Sequence, residues 1–246
     1  MLKTSAPGGC CEADDPDCVG PGNFQLIQLG GPGGNDVREN LAGSFGQCFA
    51  ATDTVTTQTG VVAGPVAQGF NTRFGDHTGF MIGKESIYPP DVVVEATIPA
   101  LEPGSCKTYP PDPPNSIFAG TGADRVQITN ANQLSFNHAD YTDRYAAKSY
   151  DVTPATAGGY GVYERRVVSV AIGDCSGTTN GQGEVPIIGF GCFFLLQPTG
   201  GTGQTSNIYG QFIGACESGG VPGSVPGAGP GPYIIQLYKD PDATGS

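Results

Sequence analysis

The longest apolar run in the chain is Val185–Pro198, VPIIGFGCFFLLQP. Read with period two, Ile188, Phe190, Cys192, Phe194 and Leu196 share one face. Ile187, Gly189, Gly191, Phe193 and Leu195 share the other. Apolar positions on both faces predict a central strand covered from each side. The run stops at Gln197 and Pro198, short of the roughly 20 residues that a membrane-crossing helix needs. Two glycines inside it predict a bulge or a close backbone approach. Upstream, RRVVSVAIG (165–173) places Val168, Val170 and Ile172 on one face; downstream, NIYGQFIGAC (207–216) alternates in the same way. Turn-rich stretches separate the three runs. The simplest reading is an antiparallel meander of strands over 166–173, 187–196 and 208–215, with Val170, Ile188, Phe190 and Phe194 buried. A longer crossover stays open.

The rest of the chain reads as short elements between turns. Asn23–Leu29 alternates and predicts a strand, and Gly30–Gly34 predicts a turn. A helix follows, with Asp36 as N-cap, Glu39 completing a capping box, and Val37, Leu41 and Phe45 on one face before a stop at Gly46. Gly64–Gly75, GPVAQGFNTRFG, reads as a short strand and a turn, and Asp91–Ile98 as a strand. Pro99–Pro114 reads as a stiff proline-rich loop crossing the body. Arg125–Thr129 and Gln133–Phe136 suggest a hairpin, and 137–150 a short helix in which Tyr141 and Tyr145 pack together. Four regions result: an acidic, cysteine-containing N-terminal segment (1–22), one β-rich domain (23–216), a Gly/Pro linker (217–231), and a strand (232–238, PYIIQLY) that docks back on the main sheet. The expected fold is mainly β, a β-rich α+β body: an antiparallel sheet, sandwich or barrel-like, with one or two short helices and Gly/Pro-rich loops.

Composition sharpens this picture. The 40 glycines and 21 prolines punctuate apolar runs without forming a periodic tract, which favours loops between strands over disorder. The net charge is −12, and the 11 basic residues never cluster along the sequence. That argues against nucleic acid or an anionic membrane surface as a partner. Eight scattered cysteines point to disulfides and an oxidising compartment, the alternative being buried thiols in the cytosol. MLKTSAPGGCC has no apolar core, so no signal peptide is visible.

A disulfide between Cys18 and Cys48 is expected. A strand of seven residues rises about 23 Å, and a helix of ten returns about 15 Å. If the GGPGG turn reverses the chain, Cys48 comes back toward Cys18, near the roughly 4.4–6.8 Å Cα separation of a bridge. Closing that loop contributes about 3–4 kcal/mol in the chain-entropy account. Pairings of Cys10 or Cys11 with Cys48 compete, and Cys106, Cys175, Cys192 and Cys216 are unassigned.

The chain carries no GxSxG elbow, HExxH or Walker loop. GGPGG lacks the Gly-Lys-Ser/Thr of a phosphate loop. His77 and His138 lie far apart, so they read as packing or surface residues and not as zinc ligands. Glu12, Asp14, Asp15 and Asp17 offer carboxylates to Ca²⁺, against the simpler reading of a solvated acidic tail. No catalytic, cofactor-binding or metal residue is assigned. Chance carboxylate pairs say nothing without geometry, which leaves a secreted hydrolase as the weakest option.

The order GPGNFQLIQLGGPGGNDVRENL, GPVAQGFNTRFG, RRVVSVAIGDCSG, VPIIGFGCFFLLQP and IYGQFIGAC resembles the Tad (tight adherence, Flp-type) pilus assembly proteins of the TadE/TadG-related kind, over about Cys18–Cys216. The resemblance implies a bacterial protein exported to the periplasm or cell surface, usually behind one N-terminal membrane helix, which this sequence lacks. It implies a non-catalytic role in pilus biogenesis, with other pilus or surface subunits as partners, a homo-oligomer being open, and membrane contact only through a segment outside this chain. The alternative is a secreted adhesin or ligand-binding module sharing the domain.

Overall fold

The computed structural model describes residues 2–3, 26–28, 31, 33–43, 49, 53–58, 63–104, 112, 116–174, 183–202 and 205–215. In chain order, the strands are Leu2–Lys3 (β1), Thr54–Thr56 (β2), Leu101–Pro103 (β3), Ile117–Ala119 (β4), Val126–Ile128 (β5), Val167–Gly173 (β6), Glu184–Leu195 (β7), Gly201–Thr202 (β8), Thr205–Ile208 (β9) and Gly210–Ala215 (β10). The α-helices are Gly34–Ala42 (α1), Ala63–Asn71 (α2) and His138–Ala146 (α3). The fold is α+β and β-rich, with antiparallel sheets; among the described residues no barrel closes.

β7 is the centre. β6 pairs along one edge, from Val167↔Phe194 to Gly173↔Ile187. β10 pairs along the opposite edge, from Gly210↔Leu195 to Ala215↔Gly191, and β2 continues that edge at Thr54↔Pro186. The meander is therefore present, although the last strand breaks at Tyr209 into β9 and β10. β9 pairs instead with β1 and β8. A separate small sheet has the order β3-β4-β5.

The expected bulge is present, and it changes which residues face inward. The β6–β7 register shifts between Ile172↔Gly189 and Gly173↔Ile187, leaving Ile188 as the extra residue. Parity inverts there. Ile187 and Val185 consequently cluster with Val55, Phe190 and Ala171, although period two puts Ile187 and Phe190 on opposite faces. Ile188, expected in the core, is 62 % exposed. Phe194 is fully buried, whereas Val170 and Phe190 are half-buried. Among the described residues, both faces of β7 are covered at its C-terminal end. There Phe194 packs with Val92, Val93, Phe136 and Tyr141, and Leu195 packs under Val37, Val66 and Phe70 of the two helices.

Helix α1 starts earlier than expected. Gly33 is the N-cap, in extended conformation and without a side-chain cap, and Val37 N–H donates to Gly33 O at 3.2 Å. Asp36 lies inside the first turn, where its charge meets the positive end of the helix dipole. The stretch expected as a strand at 64–75 is α2, followed by a 3₁₀ turn at Thr72–Phe74. Pro65 fits the first helical turn, where a missing N–H costs nothing. Val66 and Phe70, four apart, give one buried stripe. Helices α1 and α2 touch at Gly69, where a Cβ would lie 2.6 Å from Arg38 O and 2.8 Å from Leu41 Cβ. Gly75 ends the 3₁₀ turn at φ 85°, a conformation that glycine adopts without strain.

Three further expectations change. Asp91–Ile98 is no regular strand: only Asp91 bridges, to Val162, although Val92 and Val93 are fully buried. Gln133–Phe136 does not pair with β5. Residues 131–133 form a 3₁₀ turn capped by Asn130 and Gln133, and β5 pairs with β4 instead. Part of the proline-rich loop, Leu101–Pro103, is strand β3. The expected helix after Asn137 is present as α3: Asn137 caps it, its Oδ1 accepting from Ala139 N–H at 2.7 Å, and the Tyr141 and Tyr145 rings lie 5.4 Å apart. The strand at 23–29 lies within the described residues only at 26–28, where Ile27 bridges Thr57. The acidic segment apart from β1, the linker and the strand at 232–238 lie outside the described residues.

Truncating Phe194 to Ala is expected to cost about 3–5 kcal/mol. Ile188→Thr is expected to change stability by less than about 0.5 kcal/mol, as at other exposed positions. Urea denaturation of both variants checks this; equal costs would mean that the bulge is misplaced.

Candidate functional site

The chemically densest place in the described residues is the core itself. Arg73, Arg165, Arg166 and Asp91 are all buried, Arg166 and Asp91 completely. Arg166 precedes β6 and sends its guanidinium across the end of β7. Its Nε and Nη2 donate to Leu195 O at 3.1 and 2.7 Å, and its Nη1 to Val93 O at 3.1 Å and Glu95 O at 2.6 Å. The guanidinium also lies 4.4 Å from the Phe194 ring centroid and 4.5 Å from that of Phe74. Two aromatic faces and three carbonyls thus replace its water.

The other two arginines finish helix α1. Its last carbonyls have no intrahelical partners and carry the negative end of the dipole. Arg73 donates through Nε and Nη2 to Leu41 O at 3.0 and 2.8 Å, and through Nη2 to Gly43 O at 3.0 Å. Its Nη1 reaches Arg165 O. Arg165 donates to Ala42 O and, through Nε, to Pro89 O at 3.0 Å. Asp91 ties the set together. Its carboxylate accepts from Val93 N–H at 2.9 Å, Arg166 N–H at 3.0 Å and the Tyr141 hydroxyl at 2.9 Å.

Burial pushes Arg165 and Arg166 down to about 10, so both stay charged at neutral pH. Burial and the neighbouring Arg165 also lower Arg73 well below its ordinary value, with Asp91 pulling the other way. Burial raises Asp91 above its ordinary value, against the three hydrogen bonds that favour its charged form. Every polar atom of this centre faces another part of the fold. The arrangement braces the structure.

A second constellation sits at the surface. Arg144 of α3 bridges Glu95 at 2.6 Å and Asp151 at 2.6 Å. Burial alone would raise Asp151, but hydrogen bonds from Arg144 and from the amides of Val94 and Glu95 outweigh it and hold the carboxyl low. This network pins the irregular 93–95 segment from outside, as Arg166 does from inside. A cleft among the described residues has a volume of about 410 Å³, with Leu101, Glu102, Gln197, Asn207 and Tyr209 in its wall. Gln197 is spent there on the backbone of Leu101, accepting from its N–H at 2.7 Å. Among the described residues the buried Tyr209 hydroxyl has no hydrogen-bond partner, and burial raises its pKa.

Both histidines are structural. His77 Nε2 contacts Tyr88 O at 2.8 Å. His138 lies 5.4 Å from the Phe194 ring, and burial lowers its pKa. Among the described residues no group of three or more His, Cys, Asp or Glu could hold a metal ion, and no helix is long and apolar enough to cross a membrane. The Glu12–Asp17 carboxylates lie outside the described residues. Cys192 is disulfide-bonded. Cys10, Cys11, Cys18, Cys48, Cys106, Cys175 and Cys216 lie outside, and the Cys18–Cys48 bridge with them.

Sequence reasoning missed the arginine–aspartate centre. Basic residues that never cluster along the chain do so in space, three around one carboxylate. The available signal was Arg165-Arg166 directly ahead of an apolar strand, where a solvated pair would interrupt the pattern. No family model, curated protein or solved structure matches the chain.

Arg166→Met is expected to destabilise the chain by more than about 3 kcal/mol, because carbonyls of Val93, Glu95 and Leu195 lose their donor while buried. A near-normal urea midpoint would contradict the assignment. Asp91 gives a pH signature. Its folded pKa exceeds the ordinary 3.8, so between 3.8 and the raised value the folded chain holds the extra proton. The stability of the natural chain relative to Asp91→Asn should therefore fall as pH rises through that window and stay flat below it. A difference that rises with pH in urea titrations would reverse the sign and refute it.

Proposed function

We propose that the chain is an exported, non-catalytic structural component of Tad (Flp-type) pilus biogenesis, an assembly protein or minor pilin-like subunit. The observation that carries this reading is where the five resembling segments fall. NDVRENL lies on α1, GPVAQGFNTRFG forms α2 and its 3₁₀ turn, and RRVVSVAIG, VPIIGFGCFFLLQP and IYGQFIGAC hold β6, β7 and β10. They are far apart in sequence yet meet in one body. Arg73 of the second segment and Arg165 of the third both cap the helix of the first. Arg166 of the third binds the strand of the fourth. Segments whose most specific side chains are consumed in holding one another suit a rigid structural module. The acidic charge and the cysteine content fit a place in the periplasm or at the cell surface, with other surface subunits as partners.

Deleting the gene in its native host is expected to reduce piliation and surface attachment, with restoration by the gene in trans. Piliation unchanged in the deletion strain, by electron microscopy, would remove the pilus reading.

A further inference from the structure

We infer that the loop between His77 and Tyr88 dips into the interface of a zwitterionic lipid bilayer, with Phe80, Ile82 and Ile87 as the inserted side chains. The three are 70 %, 72 % and 61 % exposed, and they fall within one stretch of eight residues. Large apolar side chains grouped in water mark an interaction surface.

The loop is held at its base. His77 Nε2 lies 2.8 Å from Tyr88 O, which ties the two ends together. Asp76 N–H donates to Asn71 O at 3.1 Å and joins the loop to the end of α2. Met81, between Phe80 and Ile82 in the chain, is fully buried. Its side chain anchors the loop to the body while its two neighbours stand outside. The Phe80 ring centroid lies 4.5 Å from the Arg38 guanidinium. That guanidinium is itself fixed by Gln68 Oε1 and Asn35 Oδ1, each at 2.7 Å. The apolar side chains therefore project from a braced base and do not line a groove. A soft apolar phase accepts such projections, whereas a partner helix needs a groove to lie in.

The backbone supplies a second observation. Entry into a bilayer strips water from peptide groups, and an unpaired one is costly there. In this loop Met81 N–H donates to Thr78 O at 3.1 Å, Ile82 N–H to Gly79 O at 3.4 Å and Lys84 N–H to Met81 O at 3.1 Å. The Ile87 and Tyr88 amides both donate to Lys84 O, at 3.0 and 2.8 Å. These five amides are satisfied from within the loop, so its tip can lose water at small cost to the backbone.

Area and charge select the occupant. The three side chains expose roughly 400 Å² of surface, against the roughly 800 Å² per partner that a stable protein interface buries. Interfacial lipid binding scales with whatever apolar area is buried and has no such threshold. A net charge of −12 on each chain also opposes a second copy. Around the loop, Arg38 and Lys84 stand against Asp76, Glu39 and Glu85, and Lys84 Nζ is engaged with Glu39 at 3.4 Å. These five charges leave no positive surplus for anionic headgroups; headgroups that carry both signs suit them better. Lys84 Nζ lies 5.9 Å from the Tyr88 ring centroid, and tyrosine and lysine are residue types that settle at headgroup depth.

Vesicle flotation with the full chain tests this. The chain should float with phosphatidylcholine vesicles, and added phosphatidylglycerol should not strengthen binding. Phe80→Ser should lower the partition coefficient about tenfold or more, and Ile82→Ser should act in the same direction. Both positions are exposed, so the urea midpoint should stay in place. Ile188→Thr, exposed on the sheet, should leave binding unchanged. The chain has no tryptophan, so Phe80→Trp supplies a single reporter. Its emission should shift to the blue on vesicles and be quenched by brominated acyl chains. Absence of flotation with phosphatidylcholine would overturn the proposal, as would full binding by Phe80→Ser or a reporter emission indifferent to lipid. Binding only to vesicles that contain phosphatidylglycerol would overturn it too. A dimer in sedimentation that Phe80→Ser abolishes would assign the loop to a second copy and overturn it equally.

Discussion

The fold depends on one buried cation. Taking a guanidinium out of water costs several kcal/mol even after relaxation, and Arg166 is fully buried. The cost is offset because the side chain spends its donors on Leu195, Val93 and Glu95 carbonyls and stacks against Phe74 and Phe194. Those carbonyls belong to two segments that no ladder joins. Arg166 is therefore a substitute for a strand: it fixes 93–95 against the end of β7 where backbone pairing does not. That is why DVVVEATI, with a strand composition, is irregular. Its Val93 and Glu95 carbonyls are committed to a side chain, and its amides at Val93, Val94 and Glu95 to the carboxylates of Asp91 and Asp151.

Charge balance around this cation explains its neighbours. Three buried arginines face one buried aspartate, which by formal charge leaves an excess. The remainder is met by the C-terminal carbonyls of α1, a partial negative charge that needs no proton. Arg73 and Arg165 take those carbonyls, while Asp91 holds the Arg166 backbone and the Tyr141 hydroxyl. Helix, turn and strand are thereby registered to one another by directional bonds before apolar packing adds its larger but less specific contribution. Gly69 allows α2 close enough to α1 for Arg73 to reach the helix end.

Much of the sheet was legible in the sequence. Period-two runs gave β6, β7 and β10 their places, and the glycines of β7 announced a bulge. The consequence of that bulge was not legible, because one extra residue inverts every later side chain; Ile188 went out and Ile187 went in. Helix α2 was misread for a related reason. GPVAQGF is short and apolar on one stripe, where Gly-Pro suggests a turn, and tertiary contact with α1 decides the matter. The arginine centre was the least legible. Sequence spacing puts Arg73, Asp91 and Arg165-Arg166 in three separate motifs, and only the fold brings them together. A structural use for the charged residues was not readable.

The most direct test of the central role of Arg166 is the solvent exchange of its Nε proton, followed by nitrogen-15 NMR on the folded chain at neutral pH. If the guanidinium is locked between Leu195, Val93 and Glu95, that proton exchanges as slowly as the Phe194 amide, through global opening only. Exchange as fast as that of an exposed arginine would mean that the side chain leaves its site in the folded state, and that it does not hold the structure together.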